Sequence, residues 1–250
     1  SDRKDPEIQA ARDGARTLVG QDTCTSVQRY SKGERMGRVK IVQADELGAS
    51  DAAAYERAWT YGEFGDLIGA MANRPPIMRH TFSMLLDLRD EDVLPRRYLE
   101  LAIVVVSRLN ACTYCISHHT PNLAHLGISD EAADRILDYA SIDEFDEVDK
   151  LVIEYAIAVT QQWNQVRDAM FDRLRQHFDD AQITELTWRI ALTGAFNRFN
   201  DVLQTQNEAG VETLSVTEAA AIRASGGCAR PWEGVSGLTD HPLDLGADMT

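Results

Sequence analysis

Glu100, Cys112, Cys115 and His119 are the residues of this chain whose types and spacing could do chemistry. They comprise a Cys-x-x-Cys pair, a histidine four positions after its second sulfur, and a carboxylate twelve positions before its first. On a helix running from 112 to 126, Cys112 and Cys115 would share a face at i and i+3, and Cys115 would meet His119 at i and i+4. Two sulfurs and an imidazole then fall within about two turns. Thiolate is the reactive form of cysteine, and an unperturbed pKa of roughly 8.5 leaves little of it at neutral pH unless a helix N-terminus or an imidazole stabilises it. This spacing could supply both, so the cluster is the candidate active site. Thiol redox chemistry and metal ligation are both open to it.

The elements that must carry these side chains read as helical. Ala52, Tyr55 and Trp59, then Phe64, Leu67, Ile68 and Met71, recur at helical spacing and predict one amphipathic helix from Asp51 that runs through Gly62 and Gly65. Pro75-Pro76 closes it and opens a helix over 77–88. Pro95 suits a first turn, and 98–109 is apolar on nearly every side, a buried central helix carrying Glu100. Its β-branched run Ile103-Val104-Val105-Val106 would also suit a strand, but no strand of comparable quality is present to pair with it. Asn110-Ala111 breaks the chain before a helix that starts at the cysteines and ends at Gly127. Further helices are predicted over 130–140, from Asp143 or Asp146 to Trp163, over 166–178, and from Ala181 to about Leu203 behind an Asp179-Asp180 cap. The expectation is an all-α bundle of seven or eight helices without a sheet. Its domain would cover 51–224, including a short helix at 217–224. An irregular extension over 1–50, with a strand-like run at 38–42, would precede it, and an extended tail over 225–250 would follow.

Composition narrows the partners. Hydrophobic content of 44% over 250 residues allows a sizeable core, and a net charge of −15 opposes attraction to nucleic acid phosphates or anionic lipid. No apolar run approaches the roughly 18 residues of a membrane span, since 99–106 is interrupted by Glu100. The opening Ser-Asp-Arg-Lys-Asp has no apolar core of an export signal, so a cytoplasmic location is expected, where thiols are kept reduced. Four cysteines suggest no disulfide framework. No glycine-rich phosphate turn or serine-centred nucleophile elbow is present, so no organic cofactor is expected.

The run from Glu100 through Cys112-Thr-Tyr-Cys115-Ile-Ser-His-His119 resembles the alkylhydroperoxidase D and carboxymuconolactone decarboxylase family, in the order and spacing of Glu, Cys-x-x-Cys and His. The likeness is strongest over 95–130 and looser over 51–205. It implies a helical bundle that assembles as a homo-oligomer, a trimer or hexamer. It also implies a thiol-dependent peroxidase that takes a hydroperoxide or another small-molecule substrate, with a disulfide-reducing partner supplying thiol from outside. Carried onto this chain, Cys115 would attack, Cys112 would resolve, His119 would take the proton, and Glu100 would orient His119. A helix-dipole argument would choose Cys112 as the attacking sulfur instead. The family's peroxidases carry histidine where Tyr114 stands, so Tyr114 or His118 must substitute or the relay is shorter. Asn197-Arg-Phe-Asn200-Asp201 stands where relatives show Asn-x-x-Asn-Arg, so Asp201 replaces a cation.

Other readings of the same residues stay open. Glu100 and His119 alone could serve as acid and base for a lyase or decarboxylase step on a small organic acid. Two thiolates, an imidazole and a carboxylate could form a zinc shell, although zinc sites usually tie distant loops together. An interaction protein that merely inherited the fold is a fourth reading. Asn197 and Asn200 either line the pocket or satisfy buried backbone. His118 points about 100° from His119 and reads as a surface or interface residue. His80, His125, His177 and His241 are isolated, as are Cys24 and Cys228, and the acidic run 129–150 reads as a solvated helix pair.

Overall fold

Among the described residues, 37–208 and 211 of the computed structural model, every regular element is helical. Nine α-helices follow in order: α1 Ala49–Trp59, α2 Gly65–Ala72, α3 Pro75–Glu91, α4 Arg96–Leu109, α5 Thr113–His125, α6 Asp130–Asp134, α7 Glu147–Gln161, α8 Asp168–Leu174 and α9 Asp180–Leu203. One short 3₁₀ turn, Ala44–Glu46, precedes α1, and two more flank α7. The expected helix at 217–224, the tail, most of the N-terminal extension, and Cys24, His241 and Cys228 lie outside the described residues.

α4 is the axis of the bundle. Leu101, Ala102, Val104, Val105 and Val106 are wholly buried, and the helix packs on α5, α7 and α9. Each such aliphatic side chain contributes about 1.5–3 kcal/mol on burial, which outweighs the modest helix penalty of β-branching. The valine run is therefore helix, not strand. Arg97 at the first turn of α4 donates to Asp149 Oδ1 and Oδ2 at 2.8 and 2.7 Å, and to the carbonyl of Leu126 at 2.7 Å. Asp149 is fully buried, so the acidic run 129–150 is not simply solvated: one of its carboxylates anchors α7 to α4.

Two expectations need correction. The single helix predicted from Asp51 is two, α1 and α2, separated by a turn at 60–64. Spacing alone let the apolar pattern run on, but a Cβ at Gly65 would lie 2.5 Å from the Trp59 ring, so the ring of one helix packs onto bare backbone of the next. The strand-like run 38–42 forms no strand. It bends at Arg38 and Val39 and lies against α2, where Val42 N–H donates to Gly69 O at 3.1 Å and a Cβ at Gly69 would lie 2.5 Å from the Ile41 side chain.

Two apolar clusters result. The larger is built on α4 and α7 with contributions from α8 and α9; the smaller joins α1, α2 and α3 and includes Cys112, Tyr114 and Cys115 from the start of α5. The sulfurs thus sit where the α1–α3 layer meets the bundle.

Candidate active site

Ser107 O accepts the Cys112 N–H at 3.0 Å, and Ala111 takes a left-handed turn at φ 53, which swings the chain from α4 into α5. Cys112 becomes the N-cap residue of α5, its sulfur accepting the Cys115 N–H at 3.3 Å. Both cysteines are buried and free. The helix terminus favours charge on Cys112, but more groups act on Cys115.

The Cys112 thiol donates to Cys115, and this, with Asn200, Asn197 and the His119 charge, outweighs burial and lowers the Cys115 thiol to about 6. Asn200 Nδ2 lies 3.5 Å from the Cys115 sulfur. Giving its proton to that bond, together with burial, pushes the Cys112 thiol up. One charge is shared by the pair, and it rests on Cys115. Asn197 is held from behind, donating to Ser107 Oγ at 3.2 Å and accepting from Asn110 Nδ2 at 2.9 Å. The two asparagines therefore serve sulfur and side chains, not backbone alone. Asn200 was visible in sequence only as half of a polar pair on an apolar helix.

Glu100 and His119 meet as the resemblance implied, with Oε2 2.8 Å from Nδ1. Burial alone would raise the Glu100 carboxyl, but the charge and hydrogen bond of His119, aided by Asn122 and Arg96, hold it below the usual carboxylate range. Glu100 thereby fixes the ring and leaves Nε2 as the nitrogen it does not engage. Among the described residues no hydrogen bond joins His119 to Cys115, so the thiolate is held by Cys112 and Asn200 and not by direct contact with the base.

His118 is not on the surface. Its side chain is 4% exposed, with Nδ1 2.7 Å from the carbonyl of Tyr114 and Nε2 2.5 Å from Oε2 of Glu208. Glu208 also accepts from Tyr114 OH and from Asp66 N–H, each at 2.9 Å. Burial alone would lower the His118 imidazole, but Glu208 and the Tyr114 carbonyl raise it. Burial first, and then the Glu208 charge, raise the Tyr114 hydroxyl. Phe64 stacks on both His118 and His119, with centroids 5.2 and 5.6 Å away. Glu208 lies ninety residues beyond its histidine, in a segment with no periodicity to mark it.

Cys115 and His119 open onto one pocket, walled mainly by Phe64, Leu67, Phe82, Leu192 and Phe196. Cys112 does not line it. Among the described residues no group of three or more His, Cys, Asp or Glu is arranged to hold a metal ion. His80, placed apart by the sequence, lines a separate depression between α1 and α3. Among the described residues no helix is long and apolar enough to cross a membrane.

Over 102 residues the chain is 26% identical to the uncharacterized protein YdfG of Bacillus subtilis, covering 40% of this chain and 69% of YdfG. Its fold is similar to that of an uncharacterized peroxidase-related protein from Silicibacter sp. TM1040. That match has TM-score 0.61 and 20% identity, and covers 72% of this chain and 96% of the other. An alkylhydroperoxidase core protein from Ralstonia eutropha JMP134 gives TM-score 0.58 and 19% identity over 71% and 95% of the two chains. The debrominase Bmp8, in complex with a tribromopyrrole, gives TM-score 0.55 and 16% identity over 75% and 97%. At these identities the solved structures show a shared fold. Residues 75–156, which carry Glu100, both cysteines and His119, match the carboxymuconolactone decarboxylase family.

Proposed function

We propose that the chain is a thiol-dependent hydroperoxide reductase in which Cys115 is the attacking sulfur and Cys112 the resolving one. The observation that carries this reading is the asymmetry of the pair: Cys115 opens onto the pocket and is lowered to about 6, while Cys112 is walled off and raised. In the first step the Cys115 thiolate attacks the terminal peroxide oxygen. The S–O bond forms, the O–O bond breaks, and the departing alkoxide takes a proton through His119 Nε2 to leave as alcohol. Cys112 then loses its proton and attacks the sulfenic sulfur, the S–S bond forms, and hydroxide leaves as water. Two thiols are oxidised to one disulfide and one hydroperoxide is reduced, and an external dithiol reopens the bridge. Asn200 and Asn197 hold the charge on Cys115, and Glu100 keeps Nε2 of His119 toward the pocket.

The test is a count of free thiols before and after one equivalent of cumene hydroperoxide, with the modified residues located by peptide mapping. The expected result is loss of two thiols as a Cys112–Cys115 disulfide. In Cys112→Ser the expected product is a trapped sulfenic acid on Cys115. Unchanged thiols would contradict the reading. A second reading, a lyase or decarboxylase step with Glu100 and His119 as acid and base, is favoured by the intact 2.8 Å pair, which needs neither sulfur. It would be supported by turnover that survives Cys115→Ser and is abolished in His119→Ala.

A further inference from the structure

Arg189 projects from the middle of α9 and lines the same pocket as Cys115 and His119. It is 4% exposed. Among the described residues no carboxylate lies at ion-pair distance from it, and the side chain's hydrogen bond is to the Tyr61 hydroxyl, at 2.6 Å. Glu185, one turn earlier on α9, feels the charge but forms no ion pair with it. A buried guanidinium without a counter-ion is costly, and folded proteins keep such groups where an anion arrives to meet them. The other buried arginine and the buried aspartate among the described residues have their partners in place: Arg108 has Asp134, and Asp149 has Arg97.

We propose that Arg189 and Tyr61 form a seat for the carboxylate of the substrate, so that the preferred hydroperoxide has an apolar body and one anionic end. This rests on the peroxidase reading of the site and names its substrate class. Three features argue for a carboxylate. The guanidinium fork matches its two oxygens. Tyr61 OH accepts from Arg189 and so has its own proton left to donate to a second oxygen, strengthened by the polarisation. One cation suits a monoanion, whereas a phosphate dianion would enter this largely apolar pocket with a charge left unmatched. The apolar body is accommodated by Phe64, Phe82, Leu192 and Phe196. Tyr61 is braced by Phe82 edge to face at 6.0 Å and by Phe64 at 5.9 Å, which fixes the hydroxyl relative to Arg189. The carboxylate anchors the substrate at α9 and turns the peroxide toward Cys115 on α5. No bond is made or broken at Arg189.

The test compares cumene hydroperoxide bearing a para carboxylate with its methyl ester, read as kcat/KM with a dithiol reductant. The wild-type protein should prefer the acid by about tenfold to a hundredfold, the range of a charge-assisted hydrogen-bond pair. In Arg189→Met the ratio should fall to near one, and in Arg189→Lys, which keeps the charge but loses the fork, it should be intermediate. Binding of para-isopropylbenzoate, which has no peroxide, is measured in parallel by calorimetry, so the seat is tested even if no thiol is oxidised. That binding should be lost in Arg189→Met and weakened in Tyr61→Phe. Equal rates for acid and ester in the wild type would overturn the proposal, a comparison that needs no variant to fold. Wild-type affinity for para-isopropylbenzoate retained in a folded Arg189→Met would also overturn it, as would a carboxylate of another subunit found paired with Arg189 in the assembled protein. If both hydroperoxides leave the thiols untouched while para-isopropylbenzoate binds through Arg189, the peroxidase reading fails and the carboxylate seat stands.

Discussion

At the scale of single residues, the acidity of Cys115 depends first on the Cys112 thiol beside it and then on two asparagine donors from α9. Asn200→Ala removes one of them, and a hydrogen bond to a charged acceptor is worth about 1.5–3 kcal/mol, so the Cys115 thiol should rise by about one to two units. Alkylation rates measured against pH would show it; an unchanged midpoint would remove Asn200 from the account. Glu100→Gln should leave the fold in place but free the His119 ring, lowering the rate of thiol oxidation by about tenfold to a hundredfold while leaving the alkylation midpoint of Cys115 nearly fixed. Both sulfurs and His119 were legible because their spacing places them on one helix, and Glu100 was legible through the resemblance that sets it against His119. Asn200 was legible only as one of two alternatives and Glu208 not at all, because no local rule tells which residue on α9, or beyond it, faces a sulfur or an imidazole on α5.

At the scale of elements, α4 and α7 are joined through a charge that has no access to water. Arg97→Met would strand the Asp149 carboxylate, fully buried against its neighbours, and should cost about 3–5 kcal/mol in urea unfolding. The segment after α9 is held differently, by Glu208 against His118, Tyr114 and the N-terminus of α2. His118 is raised, so its share of stability is complete below its ordinary value of 6.5 and is lost as pH climbs through the raised value. Glu208 is lowered, so its share is complete above its ordinary value of 4.5 and is lost as pH falls through the depressed value. Glu208→Gln should therefore cost about 1 kcal/mol, most clearly between pH 4.5 and 6.5, as read from thermal unfolding across pH. A penalty independent of pH would mean that the contact is packing and not charge. Helix identities were legible from apolar spacing and from the Pro75, Asp146 and Asp179 starts. The break between α1 and α2 was not, because it depends on an aromatic ring resting on Gly65, a contact that periodicity does not encode.

At the scale of the molecule, the all-helical fold and its order of elements followed from the sequence, while the division into two apolar clusters with the sulfurs at their junction did not. The resemblance implies a trimer or hexamer. Trp188 and Val202, two heptads apart on α9, are 48% and 59% exposed among the described residues, a stripe suited to burial against another copy. Sedimentation should give a multiple of 27.8 kDa, and Trp188→Ser with Val202→Ser should shift it toward a single chain; a single-chain mass for the unaltered protein would contradict this. The whole arrangement, two layers of helices meeting over one shared charge, is tested most directly by alkylating the reduced protein with iodoacetamide across pH and mapping the modified cysteine. The account predicts that Cys115 reacts first, with a midpoint near about 6. Reaction at Cys112 first, or a midpoint at the unperturbed cysteine value of roughly 8.5, would contradict it.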